Sequence, residues 1–204
     1  MNRLRVEQLR TCINPPLTFQ VEAGACVTLQ GPSGCGKSLL LRALVDLDPN
    51  EGEVWLGERA RNTTPPTEWR RALGYLAPES RWWLDRVGEH FSHQGETISA
   101  LFTELGLPTE ALDWQVARLS SGERQRCALA RMLAVEPCGL LLDEPTANLD
   151  PASTQLVERL VMAYIKHHNA PLLWVSHDPE QVQRLAGRAL HFNAEGSLQE
   201  GPLS

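Results

Sequence analysis

The sequence has no apolar run approaching the ~20 residues of a membrane-spanning helix; its most apolar stretches are GLLLDE and PLLWVS. Its start, MNRLRVEQLR, lacks the apolar core of a secretory signal peptide. An excess of positive charge is missing too, because 19 basic residues face 25 acidic ones and the net charge is −6. We therefore expect no span across a membrane and no nucleic-acid partner. A role at a membrane would require another chain.

Paired cysteines are also lacking. The five cysteines are odd in number and none stands in a Cys-x-x-Cys pair, which disfavours a disulfide framework and a zinc site. This usage is typical of a reducing cytoplasm. Internal repeats and low-complexity tracts are absent, so we predict a single domain over residues 1–204.

Strand and helix patterns alternate along the chain, which predicts an α/β fold with a mostly parallel central sheet. The opening stretches LRVEQL and LTFQV read as short strands and predict an N-terminal antiparallel β subdomain. GLLLDE shows no polar alternation, as in a central strand covered on both faces. We also predict a strand at RALGYLA and a short helix at TEALDWQVARL.

The composition changes between about residues 79 and 135, where we predict a small inserted helical subdomain. The stretch ESRWWLD lies at its start and contains Trp82 and Trp83. Adjacent side chains cannot both face inward on a regular element. Two interpretations stay open for these tryptophans: packing of the insertion onto the main sheet, and an exposed anchor for a partner.

The stretch GPSGCGKS, from Gly31 to Ser38, fits the pattern G-x-x-x-x-G-K-[ST] between a predicted strand and a predicted helix. Its glycines let backbone N–H groups turn towards a phosphate, Lys37 would reach the β- and γ-phosphates, and Ser38 would bind Mg²⁺. The predicted nucleotide-binding residues are Gly31, Pro32, Ser33, Gly34, Cys35, Gly36, Lys37, Ser38 and Leu39.

Two carboxylates follow the buried strand GLLLDE. Asp143 stands at the carboxyl end of that strand, where ligands bind in open α/β sheets, and is predicted to hold Mg²⁺. Glu144 follows and is predicted to direct a water at the γ-phosphate as general base. The Asn-Lys-x-Asp sequence of small GTPases is absent. The motifs thus predict an enzyme that hydrolyses a nucleoside triphosphate bound to Mg²⁺.

A second candidate anion site is LSSGERQR, where a Ser-Ser-Gly turn leads into a predicted helix. Together with GPSGCGKS, GLLLDEPTANLD and LLWVSHD, in this order and spacing, it resembles the ATP-binding cassette (ABC) ATPases over nearly the whole chain. The common form of this signature is Leu-Ser-Gly-Gly-Gln. Here Ser120, Ser121, Gly122 and Glu123 follow the leucine.

The resemblance implies a P-loop NTPase fold in which two cassettes pack head to tail, each signature binding the ATP held by the other. The signature residues Ser120, Ser121, Gly122 and Glu123 are therefore expected to bind the partner's ATP. The resemblance also implies that Ala147–Asp150 cross the dimer seam. His177 is expected to hydrogen-bond the γ-phosphate, so that Lys37, Glu144 and His177 form the catalytic set.

Two family features are missing. Counted from Tyr75, the position of the family's magnesium-sensing glutamine is Pro78, and the next residue, Glu79, is a candidate replacement as an oxygen donor to Mg²⁺. The first 18 residues contain no aromatic residue to stack on adenine. Stacking on Arg10 or aliphatic contact would replace it, and use of GTP stays open.

The resemblance implies an ATP-hydrolysing subunit that forms a dimer, and we expect a homodimer. It also implies that this dimer drives a separate transmembrane permease from the cytoplasmic face of the membrane. Two alternatives stay open: a soluble ABC-type ATPase switch, such as one in iron–sulfur assembly, and a binding module that has lost hydrolysis. Mg²⁺ is the expected cofactor, with ATP as the substrate.

Overall fold

The computed structural model describes residues 2–91, 95–185, 187–193 and 195–201. Its strands form two sheets. The first is antiparallel, in the order β2-β1-β4-β5. Its strands are β1 (Leu4–Arg10), β2 (Leu17–Val21), β4 (Glu51–Leu56) and β5 (Arg59–Ala60). The predicted antiparallel N-terminal part is thereby confirmed.

The second sheet has six strands in the order β10-β9-β3-β8-β7-β6. All neighbours in it are parallel except β10 and β9. The predicted mostly parallel central sheet is therefore confirmed. Its strands are β3 (Cys26–Gln30), β6 (Leu73–Leu76), β7 (Gly139–Asp143), β8 (Leu172–Val175), β9 (Arg188–Phe192) and β10 (Leu198–Gly201).

Six α-helices connect the strands in the described part of the chain. They are α1 (Lys37–Leu44), α2 (Pro66–Ala72), α3 (Glu96–Glu104), α4 (Ser121–Leu133), α5 (Pro151–His168) and α6 (Pro179–Leu185). None of the described helices combines the length and the apolarity that crossing a bilayer requires.

The strand predicted at RALGYLA is confirmed but is shorter than predicted, and the helix predicted at TEALDWQVARL is wrong. RALGYLA is a strand only from Leu73, because its first two residues end α2, which the buried Trp69 anchors by donating from its indole N–H to Leu44 O at 2.8 Å. TEALDWQVARL forms two short 3₁₀ turns instead of one helix. The backbone between the turns is extended, since Trp114 O accepts from Val87 N and Val116 N donates to Asp85 O.

The core lies on both faces of the six-stranded sheet. Alternate residues of β7 point to opposite layers: Leu140 and Leu142 pack on the side of α3, α4 and α5, and Leu141 on the side of α1 and the antiparallel sheet. All five residues of β7 are buried, as its unbroken apolar pattern predicts. This arrangement leaves the carboxyl ends of the parallel strands as the edge at which polar groups can gather.

Candidate functional site

The loop between β3 and α1 has the backbone of a phosphate cradle. Gly31 and Gly36 have φ values of 143° and 104°, in the region that favours glycine. A Cβ on Gly36 would come within 2.5 Å of Asn14 Oδ1, so only glycine fits there. In the described part of the chain, the residue that precedes α1 is Gly36, which has no side chain with which to cap the helix. The first N–H groups of α1 therefore lack a partner within the helix and face a position that suits an anion.

Lys37 lies within this loop. Its side chain is buried, and Nζ donates to Gly31 O at 2.8 Å and to Pro32 O at 2.9 Å. The loop thus wraps around an ammonium group, which adds a full positive charge to the dipoles of the backbone N–H groups. The predicted nucleotide-binding residues run without a break from Gly31, the residue after β3, to Leu39, the third residue of α1.

Asn14 supports the loop from behind, and no motif in the sequence indicated it. Its Nδ2 donates to Cys35 O at 2.9 Å, and its Oδ1 accepts from the hydroxyl of Thr11 at 2.9 Å. Asn14 and Thr11 are both buried. Since Asn14 contacts Cys35 across 21 positions of the sequence, only the tertiary structure reveals this role.

Asp143 ends β7 and is 1% exposed. Its carboxylate accepts a hydrogen bond from the hydroxyl of Tyr75, with 3.2 Å between Tyr75 Oη and Asp143 Oδ2, and the hydroxyl of Ser38 lies near enough to favour its charged form. Burial raises the pKa of this carboxyl group above its ordinary value. Asp143 forms no ion pair with the described residues. The charge of Lys37 nevertheless acts on this carboxyl group and lowers its pKa in part. A buried carboxylate beside a hydroxyl has the hard oxygen donors that suit Mg²⁺.

Glu144 and His177 meet beyond the ends of two neighbouring strands. Because β7 and β8 are parallel and pair Asp143 with Val175, their next residues lie at the same edge of the sheet. Glu144 Oε1 lies 3.1 Å from His177 Nε2. Glu144 also has a φ of 50°, which a non-glycine residue adopts only at an energetic cost. The structure thus brings the two predicted catalytic side chains together.

The signature residues form the N-terminus of α4. Ser120 caps the helix: its hydroxyl accepts from Glu123 N at 3.2 Å and donates to Glu123 Oε2 at 2.8 Å. Ser120 N donates to the same carboxylate oxygen at 2.9 Å, and this bond above all lowers the pKa of Glu123. Both Ser120 and Ser121 are exposed. The capping box therefore uses the serine hydroxyl within the chain itself.

The signature turn packs against the segment that follows Glu144. A Cβ on Gly122 would lie 3.1 Å from Asn148 O and 3.1 Å from Leu149 Cδ2. Asp150 caps α5 by accepting from Ala152 N and Ser153 N. The two segments that the family resemblance assigns to a dimer seam are therefore in contact with each other.

Glu79 was predicted as a possible oxygen donor to Mg²⁺. It is exposed and makes no hydrogen bond with the described residues, although it lines a groove of about 1080 Å³ together with Ser38 and Asp143. The hydroxyl of Tyr75 is the group from β6 that reaches Asp143. This contact was missed from the sequence, since it joins residues 68 positions apart.

A buried amide connects the segments that carry the two catalytic side chains. Gln181 of α6 is 1% exposed; its Oε1 accepts from Trp174 Nε1 at 3.2 Å, and its Nε2 donates to Thr146 Oγ1 at 3.0 Å. Nε2 also donates to Glu158 of α5 at 2.8 Å, and Glu158 pairs with Arg184 at 3.0 Å. This network lies at one wall of a cavity of about 670 Å³ that Glu144 and His177 also line.

Comparison with known proteins agrees with these motifs. A family model described as ABC transporter matches residues 15–147. The phosphate import ATP-binding protein PstB of Aeropyrum pernix is 32% identical over 209 residues, covering 91% of this chain and 83% of PstB. The maltose/maltodextrin import ATP-binding protein MalK of Mannheimia succiniciproducens is 31% identical over 202 residues, covering 93% of this chain. The chain spans about half of MalK, 54% of its length.

The fold agrees as well. A solved structure described as a bacterial Atm1-family ABC exporter with ATP bound superposes with a TM-score of 0.87 and 25% sequence identity. The match covers 98% of this chain and 38% of the exporter chain. The chain therefore belongs to the ABC transporter family, as an ATP-binding subunit of the ATP-hydrolysing type.

Proposed function

We propose that the chain hydrolyses ATP as a head-to-tail homodimer around two Mg·ATP and thereby drives a separate transmembrane permease. The observation that carries this proposal is the contact of 3.1 Å between Glu144 and His177, beside the buried Asp143. A carboxylate and an imidazole at the carboxyl edge of the sheet, next to a phosphate cradle, suit the positioning of a water against a γ-phosphate.

The phosphate loop binds the nucleotide in this proposal. The N–H groups at the start of α1 and the ammonium of Lys37 face the phosphate oxygens. The loop residues from Gly31 to Leu39 surround the β- and γ-phosphates. Lys37 Nζ exchanges its carbonyl partners, Gly31 O and Pro32 O, for phosphate oxygens. A charge-assisted hydrogen bond from an ammonium group to a phosphate oxygen is stronger than one to a neutral carbonyl oxygen. The exchange therefore favours binding of the nucleotide.

Ser38 and Asp143 would hold the Mg²⁺ of Mg·ATP. The metal neutralises charge on the β- and γ-phosphate oxygens when it is bound. Glu79 lines the same groove and stays a candidate for a water-mediated contact. Glu144 acts as the general base that orients the attacking water, and His177 holds the γ-phosphate by a hydrogen bond from its imidazole.

The signature explains why the chain has a second anion site. Ser120 and Ser121 are exposed at the N-terminus of the 13-residue helix α4, whose dipole favours a negative charge. We propose that Ser120, Ser121, Gly122 and Glu123 bind the γ-phosphate held by the second cassette, and that Ala147–Asp150 lie at the same seam. A single cassette should therefore be a poor ATPase.

The permease is proposed to contact the groove of about 1080 Å³ near the inserted helical subdomain, about residues 79–135. Trp83 is 68% exposed at this groove, as an anchor for a partner needs to be. Trp82 is half-buried and packs against the core. In this proposal, Trp83 is the exposed anchor for the partner, and Trp82 packs the insertion onto the rest of the chain. In this proposal the subunit lies on the cytoplasmic face of the membrane.

The test is affinity purification of the tagged Glu144→Gln variant from gently solubilised membranes in the presence of ATP. Stoichiometric recovery of a polytopic membrane protein is the expected result. The matched control is Lys37→Ala, which should lose nucleotide binding in calorimetry and release the partner. Recovery of soluble proteins alone would contradict the permease and favour the soluble ATPase switch.

A further inference from the structure

Tyr75 connects the edge strand of the large sheet to the candidate metal site. It lies on β6, whose register places Tyr75 beside Leu141 and Leu76 beside Leu142 of β7. The next residue of β7 is Asp143, and the Tyr75 hydroxyl bonds its Oδ2 at 3.2 Å. The side chain therefore runs along the sheet to its carboxyl edge.

The carboxylate of Asp143 has one hydrogen-bond donor of measured geometry among the described side chains, the hydroxyl of Tyr75. Ser38 and Lys37 lie near enough to favour its charged form. Ser38 is itself a proposed metal ligand. Tyr75 is thus the partner that can fix the orientation of the carboxylate without binding the metal. Such outer partners of a ligand commonly determine metal affinity.

We propose that Tyr75 is a positioning residue for the metal, whose hydroxyl holds the Asp143 carboxylate in the orientation that binds the Mg²⁺ of Mg·ATP together with Ser38. This inference rests on the proposed function, because it takes Asp143 and Ser38 as metal ligands. It also gives β6 a contribution to the metal site that Pro78 cannot make, since proline has no side-chain donor.

A structural role of the ring and a positioning role of the hydroxyl can be separated. The ring of Tyr75 is half-buried and packs against the core on the side of the antiparallel sheet. Tyr75→Phe keeps this ring and removes only the oxygen. The chain also provides a matched control in Tyr164, its other tyrosine. Tyr164 Oη donates to Pro137 O at 2.8 Å in the core and has no part in the site.

The experiment uses the Glu144→Gln chain as parent, so that ATP is not consumed. ATP affinity is measured by calorimetry in EDTA. In a separate sample from which the chelator has been removed, Mg²⁺ is titrated into the complex of protein and ATP. With Tyr75→Phe we expect unchanged ATP affinity in EDTA and about 10-fold weaker Mg²⁺ binding. Tyr164→Phe should match the parent in both titrations. Bound Mn²⁺, observed by electron paramagnetic resonance, should have an altered spectrum with Tyr75→Phe only.

Mg²⁺ binding by Tyr75→Phe equal to that of the parent would overturn the proposal. Equal losses of ATP affinity with and without the metal would also overturn it, because the hydroxyl would then act on the nucleotide or the fold. A parent that binds no ATP would instead contradict the proposed function. A measurement without mutation is available: in chain labelled with 3-fluorotyrosine, Mg²⁺ should shift the ¹⁹F resonance of Tyr75 in the ATP complex and leave that of Tyr164. An unmoved Tyr75 resonance would contradict the proposal.

Discussion

Glu144 Oε1 and His177 Nε2 lie 3.1 Å apart, and the backbone of Glu144 has a φ of 50°. If Glu144 is the general base, Glu144→Gln removes the base and keeps the side-chain volume and a hydrogen-bond acceptor for His177. We expect this variant to bind ATP, to lose hydrolysis by at least about 100-fold, and to stay dimeric with Mg·ATP.

Light scattering measures this dimer directly. The mass should rise from 22.7 kDa to twice that value on addition of Mg·ATP. Nucleotide-free protein and the Lys37→Ala variant are the controls and should stay monomeric. A Glu144→Gln chain that remains a monomer at saturating Mg·ATP would contradict the assignment of the signature to a partner's nucleotide.

The Glu123 carboxylate is placed where a second phosphate is expected. Hydrogen bonds from Ser120 lower its pKa, so that the carboxylate is negatively charged at neutral pH. In the proposed dimer the backbone of the signature turn, Glu123 included, binds the phosphate, and the charge on this one side chain opposes that binding. Glu123→Gln keeps a capping-box side chain and removes this charge. We expect the ATP concentration at half-maximal dimer formation to fall several-fold, by roughly 1 kcal/mol in binding free energy.

Titration of the Glu144→Gln background with ATP, followed by light scattering, checks this expectation. Glu110 is a control position, because it is exposed and, among the described contacts, shares no ion pair with the signature residues. Glu110→Gln should leave the dimerisation curve unchanged. Weaker dimerisation of Glu123→Gln would mean that the carboxylate contributes a required contact.

The two adjacent tryptophans should respond differently to substitution. Trp83→Ala removes an exposed ring that meets His90 edge-on at 4.7 Å and lies 4.9 Å from the Arg131 guanidinium, and it should change the unfolding free energy by less than about 1 kcal/mol. Trp82→Ala removes a half-buried ring that packs on the core and lies 4.4 Å from the Arg131 guanidinium. We expect it to cost roughly 2 kcal/mol, about half of the value for a fully buried tryptophan.

Denaturant unfolding measures both stabilities, and co-purification from membranes measures partner binding. Trp83→Ala should reduce partner recovery while keeping the parent's unfolding midpoint. Full recovery of the permease with Trp83→Ala would remove this residue from the contact.

Asp150 makes the stability of α5 dependent on pH. Hydrogen bonds from Ser153, by hydroxyl first and then by backbone N–H, lower the pKa of Asp150. A lowered pKa means that the folded chain favours the charged form. The stabilisation is therefore fully present above the unfolded pKa of about 3.9 and is lost as the pH falls through the lower folded pKa.

Thermal unfolding of Asp150→Ala tests this dependence. Its Tm should lie below that of the parent at pH 7, and the difference should shrink below about pH 4. Asp150→Asn retains an oxygen acceptor for the helix N–H groups and should restore much of the stability at pH 7. A difference between parent and Asp150→Ala that is the same at all pH values would argue against the charged cap.

Much of the site could be predicted because its parts are local in the sequence. The phosphate loop needs glycines at fixed places between one strand and one helix, and the two carboxylates follow one apolar strand. In contrast, Tyr75 and Asn14 act through contacts with residues 68 and 21 positions away, and no spacing rule covers them. The same reason explains why TEALDWQVARL did not form a helix. Between its two 3₁₀ turns, the backbone of Trp114 and Val116 hydrogen-bonds to Val87 and Asp85 instead of continuing a helix.

The support of the phosphate loop joins parts of the chain that are synthesised far apart in time. Asn14 Nδ2 donates both to Cys35 O and to Gly196 O, the latter across 182 positions. A Cβ on Gly31 would touch Phe192, and β3 pairs with β9 along Val27–Gln30. On the ribosome, the nascent chain would therefore have to expose residues up to about 196 before its nucleotide cradle is assembled. Premature ATP capture by a partly translated subunit is thus disfavoured by the topology itself.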